Sequence, residues 1–120
     1  MNVKDFTTFG QLILDARRKK NLSLKQCAAL VNKEDGTPIS FQYLSEIENA
    51  RRNPPSEFIM KQLSKVLDIP IELLYFHSKT IPSNIDSNLS NDKIVFAYRD
   101  FLSKLHQKAA WNLKSVDDIL

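Results

Sequence analysis

Glycine is almost missing from this chain: Gly10 and Gly36 are the only two in 120 residues. They are too few and too far apart to build a glycine-rich loop around phosphate groups, which removes nucleotide-binding motifs of that kind. The single cysteine, Cys27, excludes an internal disulfide and any multi-cysteine metal cluster. The two histidines, His77 and His106, are distant in sequence, and the carboxylates show no metal-ligand spacing. Glu46 and Glu48 do not form a catalytic pair, because residues two apart on a helix do not face one another. No run approaches the roughly 20 apolar residues that span a bilayer. The start, MNVKDFTTFGQLI, has neither the apolar run nor the cleavage site of a secretion signal. These absences lead us to expect a cytoplasmic, non-enzymatic protein with no cofactor, no metal and no membrane partner.

The composition that remains is 42% hydrophobic and 26% charged, with a net charge of +3, which suits one domain with a modest core and a short extension. The charge is uneven. Residues 1–67 hold eleven Lys/Arg against seven Asp/Glu, and residues 68–120 hold six against seven, so attraction for a polyanion belongs to the first part. Many solvated surfaces carry a similar excess, and charge alone therefore decides little.

Helical periodicity is plainer. Phe9, Leu12, Ile13 and Ala16 follow Thr8, a candidate N-cap, and the basic run Arg17 to Lys20 closes a first helix over residues 8–20. Ser23 caps a short second helix with Leu24, Cys27, Ala28 and Val31 inward and Asn32 at its end; Cys27 reads as a core thiol. Residues 33–38 contain Asp35-Gly36 and Pro38, a turn signal. Ser40 caps a third helix through Glu48, with Tyr43, Leu44 and Ile47 inward and Phe41, Gln42, Ser45 and Glu46 wholly or partly outward. After Pro54 and Pro55 comes a fourth helix with Phe58, Ile59, Leu63, Val66 and Leu67 on its apolar face, and Pro70 opens a fifth with Ile71, Leu73, Leu74 and Phe76. His77 reads as a helix-terminal surface residue. Two short helices, a turn and a basic, proline-closed loop are what a protein needs to seat one helix in the DNA major groove and hold the phosphates beside it.

These residues resemble the helix-turn-helix domain shared by phage repressors, Cro proteins and Xre-type bacterial regulators. The likeness rests on Arg17, Leu22-Ser23, Ala28, Ile39-Ser40, the run Leu44-Ser45-Glu46-Ile47-Glu48-Asn49, then Arg51-Arg52-Asn53-Pro54 and the leucine-rich fourth helix. It covers Phe9 to about Tyr75. The resemblance implies an all-α fold, a five-helix lambda-repressor-like domain with a C-terminal amphipathic helical extension, and a sequence-specific regulator that reads double-stranded operator DNA with residues 40–48, as a homodimeric repressor. The domain limits follow: 1–77 for DNA binding, 78–91 as connector, 92–120 as a C-terminal helical segment.

By the same resemblance Ser40, Phe41, Gln42, Tyr43 and Glu46 approach the bases or adjacent phosphates. Gln42 has the chemistry for a bidentate pair with adenine; Glu46 can accept from cytosine N4, with a salt bridge or solvent exposure as its other role; Phe41 suits a thymine methyl or packing against the turn. Ser23, Lys25, Asn49, Arg51, Arg52 and Asn53 are the phosphate-binding candidates. Arg17 and Glu48 correspond to a scaffold salt bridge between the first helix and the end of the recognition helix. Three departures stand out: Leu24 replaces a common Gln, the 33–38 turn is several residues longer, and Ala50 replaces the common glycine after the recognition helix.

A longer helix over residues 92–110 places Ile94, Val95, Tyr98, Phe101, Leu102 and Leu105 on one stripe, with Lys93, Arg99, Asp100, Lys104 and Lys108 toward water. The stripe serves equally to fold back on its own domain or to form a dimer interface. The tail from Trp111 to Leu120 either covers apolar surface or stays mobile. The competing function is an Xre-like protein-interaction module or antitoxin, bound to a regulatory protein partner, in which DNA binding is secondary.

Overall fold

The computed structural model describes residues 8–85 and 88–107. Six helices occur among them: α1 (Phe9–Lys19), α2 (Leu24–Ala29), α3 (Phe41–Glu48), α4 (Glu57–Leu67), α5 (Ile71–Ser78) and α6 (Asn91–His106). The only strand-like pairing among the described residues is one antiparallel bridge, Asn32 to Pro38, and the fold class is all-α. The chain divides into two units, residues 1–83 and 84–120. Within the first unit the backbone N–H of Ser83 donates to the Glu57 carboxylate of α4, at 3.2 and 3.3 Å. The expected extension of the last helix to residue 110 and the tail from Trp111 lie outside the described residues.

Helix starts follow the side-chain chemistry. Thr8, Ser23, Ser40, Ser56 and Ser90 each accept the backbone N–H three residues on, which is worth about 1 kcal/mol per cap. At α2 the Gln26 side chain also accepts the Ser23 N–H, completing a capping box. Helix ends are less ordinary. Asn21, Ala50, Asp68 and Lys79 all take left-handed backbone with φ between 57° and 59°, and none is glycine. After α3 the Ala50 N–H donates to the Ile47 carbonyl and the Arg51 N–H to the Glu46 carbonyl, a Schellman arrangement that reverses the chain.

The core of the first unit gathers Phe9 and Ile13 of α1, Cys27 and Ala28 of α2, Val31, Ile39, Leu44 and Ile47 of α3, Ile59, Met60, Leu63 and Leu67 of α4, and Ile69 and Leu74. Helix α1 packs on α3, α4 and α5, while α2 packs on α3. Gly10 permits the closest approach: a Cβ there would lie 2.5 Å from the Glu48 carbonyl and 2.6 Å from that of Ile47. Two inward assignments are corrected. Phe58 and Phe76 are exposed, and Met60 takes the inward place on α4, because the buried row at 59, 63 and 67 has its flank at 60 rather than 58. The α2 helix also stops at Ala29, short of Asn32, whose backbone N–H and carbonyl are both bonded to the Gln62 side chain.

The long connection between α2 and α3 is an ordered miniature hairpin. Ile39 N–H donates to the Val31 carbonyl, Lys33 N–H to that of Thr37 and Gly36 N–H to that of Lys33, with Gly36 at φ 88°. This is a three-residue loop whose last position favours glycine. Asp35 accepts from both the N–H and the hydroxyl of Thr37, bonds that hold its carboxyl below the usual range. The Gln62 side chain grips the hairpin base: its Oε1 accepts the Asn32 N–H and its Nε2 donates to the Asn32 carbonyl, both at 2.7 Å. Ser56 Oγ donates to Glu34 at 3.1 Å, tying the hairpin to the start of α4.

Candidate nucleic-acid interface

Helix α3 turns Leu44 and Ile47 into the core and leaves Phe41 and Gln42 exposed, with Tyr43, Ser45 and Glu46 half-buried at the border. Ser40 sits at its start, where the hydroxyl oxygen accepts the Tyr43 N–H at 3.0 Å and is thereby occupied as a cap. The Gln42 side chain is exposed, and among the described residues its amide makes no hydrogen bond. Lys25, from the first turn of α2, places its ammonium 5.1 Å from the centre of the Phe41 ring. This cation–π contact gives the outward aromatic a role in holding a cation beside the recognition helix.

The scaffold of this face is the Arg17–Glu48 pair. Arg17 Nε and Nη2 donate to the two Glu48 carboxylate oxygens at 2.7 and 3.0 Å, and Nη1 donates to the Leu22 carbonyl at 2.9 Å. The side chains are only 11% and 5% exposed. The hydrogen bond to the Glu48 carboxylate raises the Arg17 pKa further, and the two-pronged geometry fixes α1 against the last turn of α3. Cys27 of α2 is a free buried thiol, its pKa raised by burial.

The loop after α3 holds the remaining cations. Asn49 turns its amide back onto the Ser45 carbonyl at 2.8 Å, acting as an end cap for α3. Arg51 and Asn53 are exposed. Arg52 is different: its Nε donates to Glu46 Oε2, and its guanidinium lies 5.6 Å from the centre of the Tyr43 ring. The Glu46 hydrogen bond raises the Arg52 pKa, and burial raises that of Tyr43. Ser23 is committed to its capping box. On α6 the stripe of Ile94, Val95, Tyr98, Phe101, Leu102 and Leu105 is exposed along its length.

Sequence reasoning missed the specific pairing of Glu46 with Arg52. A signal for it exists: a left-handed residue at position 50 folds the chain back along the last turn of α3, so the residues after it return beside Glu46. It missed the Gln62 clamp on Asn32 as well, for which no local signal exists.

A helix-turn-helix family model matches residues 13–74, slightly more than half the chain. This chain belongs to the Xre/Cro-like helix-turn-helix family. Among curated proteins, the "Uncharacterized HTH-type transcriptional regulator RghRB" of Bacillus subtilis (strain 168) is 32% identical over 80 residues, which is 64% of this chain and 53% of that protein. The match thus spans about half of the relative's length. Among solved structures, a chain of the SinR protein/SinI protein complex is similar at 23% identity and a TM-score of 0.49, over 83% of this chain and all of that one. Within the helix-turn-helix frame, the hairpin at residues 31–39 is the turn itself, lengthened but hydrogen-bonded. Ala50 takes the left-handed conformation of the usual glycine. No helix among the described residues is long and apolar enough to cross a membrane, and none of their His, Cys, Asp and Glu side chains cluster as metal ligands.

Proposed function

We propose that this protein is a sequence-specific double-stranded DNA-binding transcriptional regulator, a repressor that acts as a homodimer and reads the major groove with α3. The observation that carries the reading is the outward face of α3: an exposed Gln42 amide and the Phe41 ring, with Lys25 against Phe41, Arg52 against Tyr43 and the exposed Arg51 beside Arg52 in the chain. Gln42 has the donor and acceptor to read adenine, and the flanking cations serve the phosphates. The first five helices are read as a lambda-repressor-like domain. On α6 the spacing of Ile94, Tyr98, Phe101 and Leu105 is four, three, four, the period of a coiled-coil seam, and we assign this stripe to the contact between two copies. Two joined readers double the site length, and the second contact becomes intramolecular.

The test is selection from a random duplex pool at roughly 0.15 M salt, with the mass of the selected complex recorded. An enriched inverted repeat carrying two chains is the expected result. Salt-sensitive weak binding without enrichment sinks the operator reading and favours the protein-interaction module, which the exposed Phe41 ring and α6 stripe would then serve.

A further inference from the structure

The three cations beside α3 are not equivalent. Arg51 is exposed and Lys25 leans on an aromatic face, so both keep their charge uncompensated. Arg52 alone is neutralised, by a carboxylate on the recognition helix itself, while the Tyr43 ring backs its guanidinium. Arg17 and Glu48 cancel one another inside the scaffold. The unliganded face therefore shows two free charges where its residue types suggest three.

We propose that Glu46 gates Arg52: in the free protein the carboxylate biases the arginine toward α3, and a site that offers Glu46 a donor of its own releases Arg52 to a phosphate without that penalty. The inference rests on the DNA-binding reading above. Its chemistry is an exchange of partners. If Arg52 swings to a phosphate on arbitrary DNA, Glu46 is left as a bare anion near the backbone, an unfavourable arrangement. Where the groove presents a cytosine N4 amino group, that group donates to Glu46 and the exchange is balanced. Release of the phosphate-binding arm is thereby tied to the identity of a base, and Glu46 penalises non-specific binding as well as reading sequence.

The exposure of the pair suits this role. Arg52 and Glu46 side chains are 56% and 37% exposed, so water screens their attraction and the pair biases Arg52 by at most about fivefold, which a phosphate overcomes. The Arg17–Glu48 pair, in the same last turn of α3, is buried and two-pronged, and has no such freedom.

The experiment measures binding of the full chain to a random-sequence duplex by fluorescence anisotropy between about 0.05 and 0.3 M salt, for the wild type, Glu46→Gln, Arg52→Gln and the double variant. Each is checked for unchanged thermal unfolding. Glu46→Gln is expected to tighten non-specific binding about two- to fivefold and to steepen the log–log salt slope by about 0.9, one additional phosphate contact. In the Arg52→Gln background the same change removes a repulsive charge and can tighten binding, but the salt slope should not steepen, because no arm remains to be released. An equal steepening with and without Arg52 overturns the gate, since it would show only the loss of a negative charge; so does no steepening at all. Failure of the wild type to bind any duplex in a salt-dependent way is a separate outcome, which removes the DNA-binding reading and the gate with it.

Discussion

At position 50 an alanine sits at φ 58°, where its Cβ crowds the neighbouring carbonyl, and a chain with so little glycine accepts such strain four times over. Ala50→Gly is expected to stabilise the fold by about 1 kcal/mol, seen as a rise of several degrees in the unfolding midpoint. A fall would show that the methyl group makes contacts outweighing the strain. Glu48 presents the opposite case. Its removal leaves the Arg17 guanidinium buried without a counter-charge, so Glu48→Ala should cost about 3 to 5 kcal/mol in denaturant titration, and DNA binding would weaken through loss of α3 alignment alone. A loss below about 1 kcal/mol would mean that water readily replaces the carboxylate.

Between elements, polar side chains do the aligning that a small core cannot. Helix α4 holds the α2–α3 hairpin through Gln62 and Ser56, and it holds the chain beyond α5 through Glu57. The Tyr75 hydroxyl donates to Glu57 at 2.8 Å, and this bond, with those from Ser83, keeps the Glu57 carboxyl below its ordinary value of 4.5. Because the folded value lies below the unfolded one, the stabilisation is complete above the ordinary glutamate range and is lost as pH falls through the lowered value. The stability gap between wild type and Glu57→Gln should therefore be widest near neutrality and narrow as the solution is acidified from about pH 6 to pH 3. A gap independent of pH, measured by thermal unfolding, would contradict the assignment.

For the whole molecule, the proposed assembly turns on α6. Its stripe residues are all exposed and follow a seam period, so a charge placed among them should separate the copies without touching the first unit. Leu102→Asp is expected to shift sedimentation equilibrium from dimer to monomer and to lower affinity for a two-half-site duplex by about a hundredfold, while single half-site binding changes little. Unaltered mass would assign the stripe to another role.

Much of the fold was legible in the chain because helix boundaries are local. A hydroxyl before each of five helices and a 3.6-residue apolar repeat are written within a few residues of one another. The outward set on α3 was legible by the same rule, since Leu44 and Ile47 leave only one face for Gln42. Phe58 and Phe76 were misread because an aromatic residue near an apolar stripe does not announce on which flank the neighbouring helix lies. That Arg52 answers Glu46, that Gln62 clamps Asn32, and that Gly10 admits the α3 carbonyls were decided only when the helices came together. Residue order determines caps, periodicity and family; the partner of a charged side chain depends on which surfaces approach within hydrogen-bond reach, and distances across a core exist only after folding.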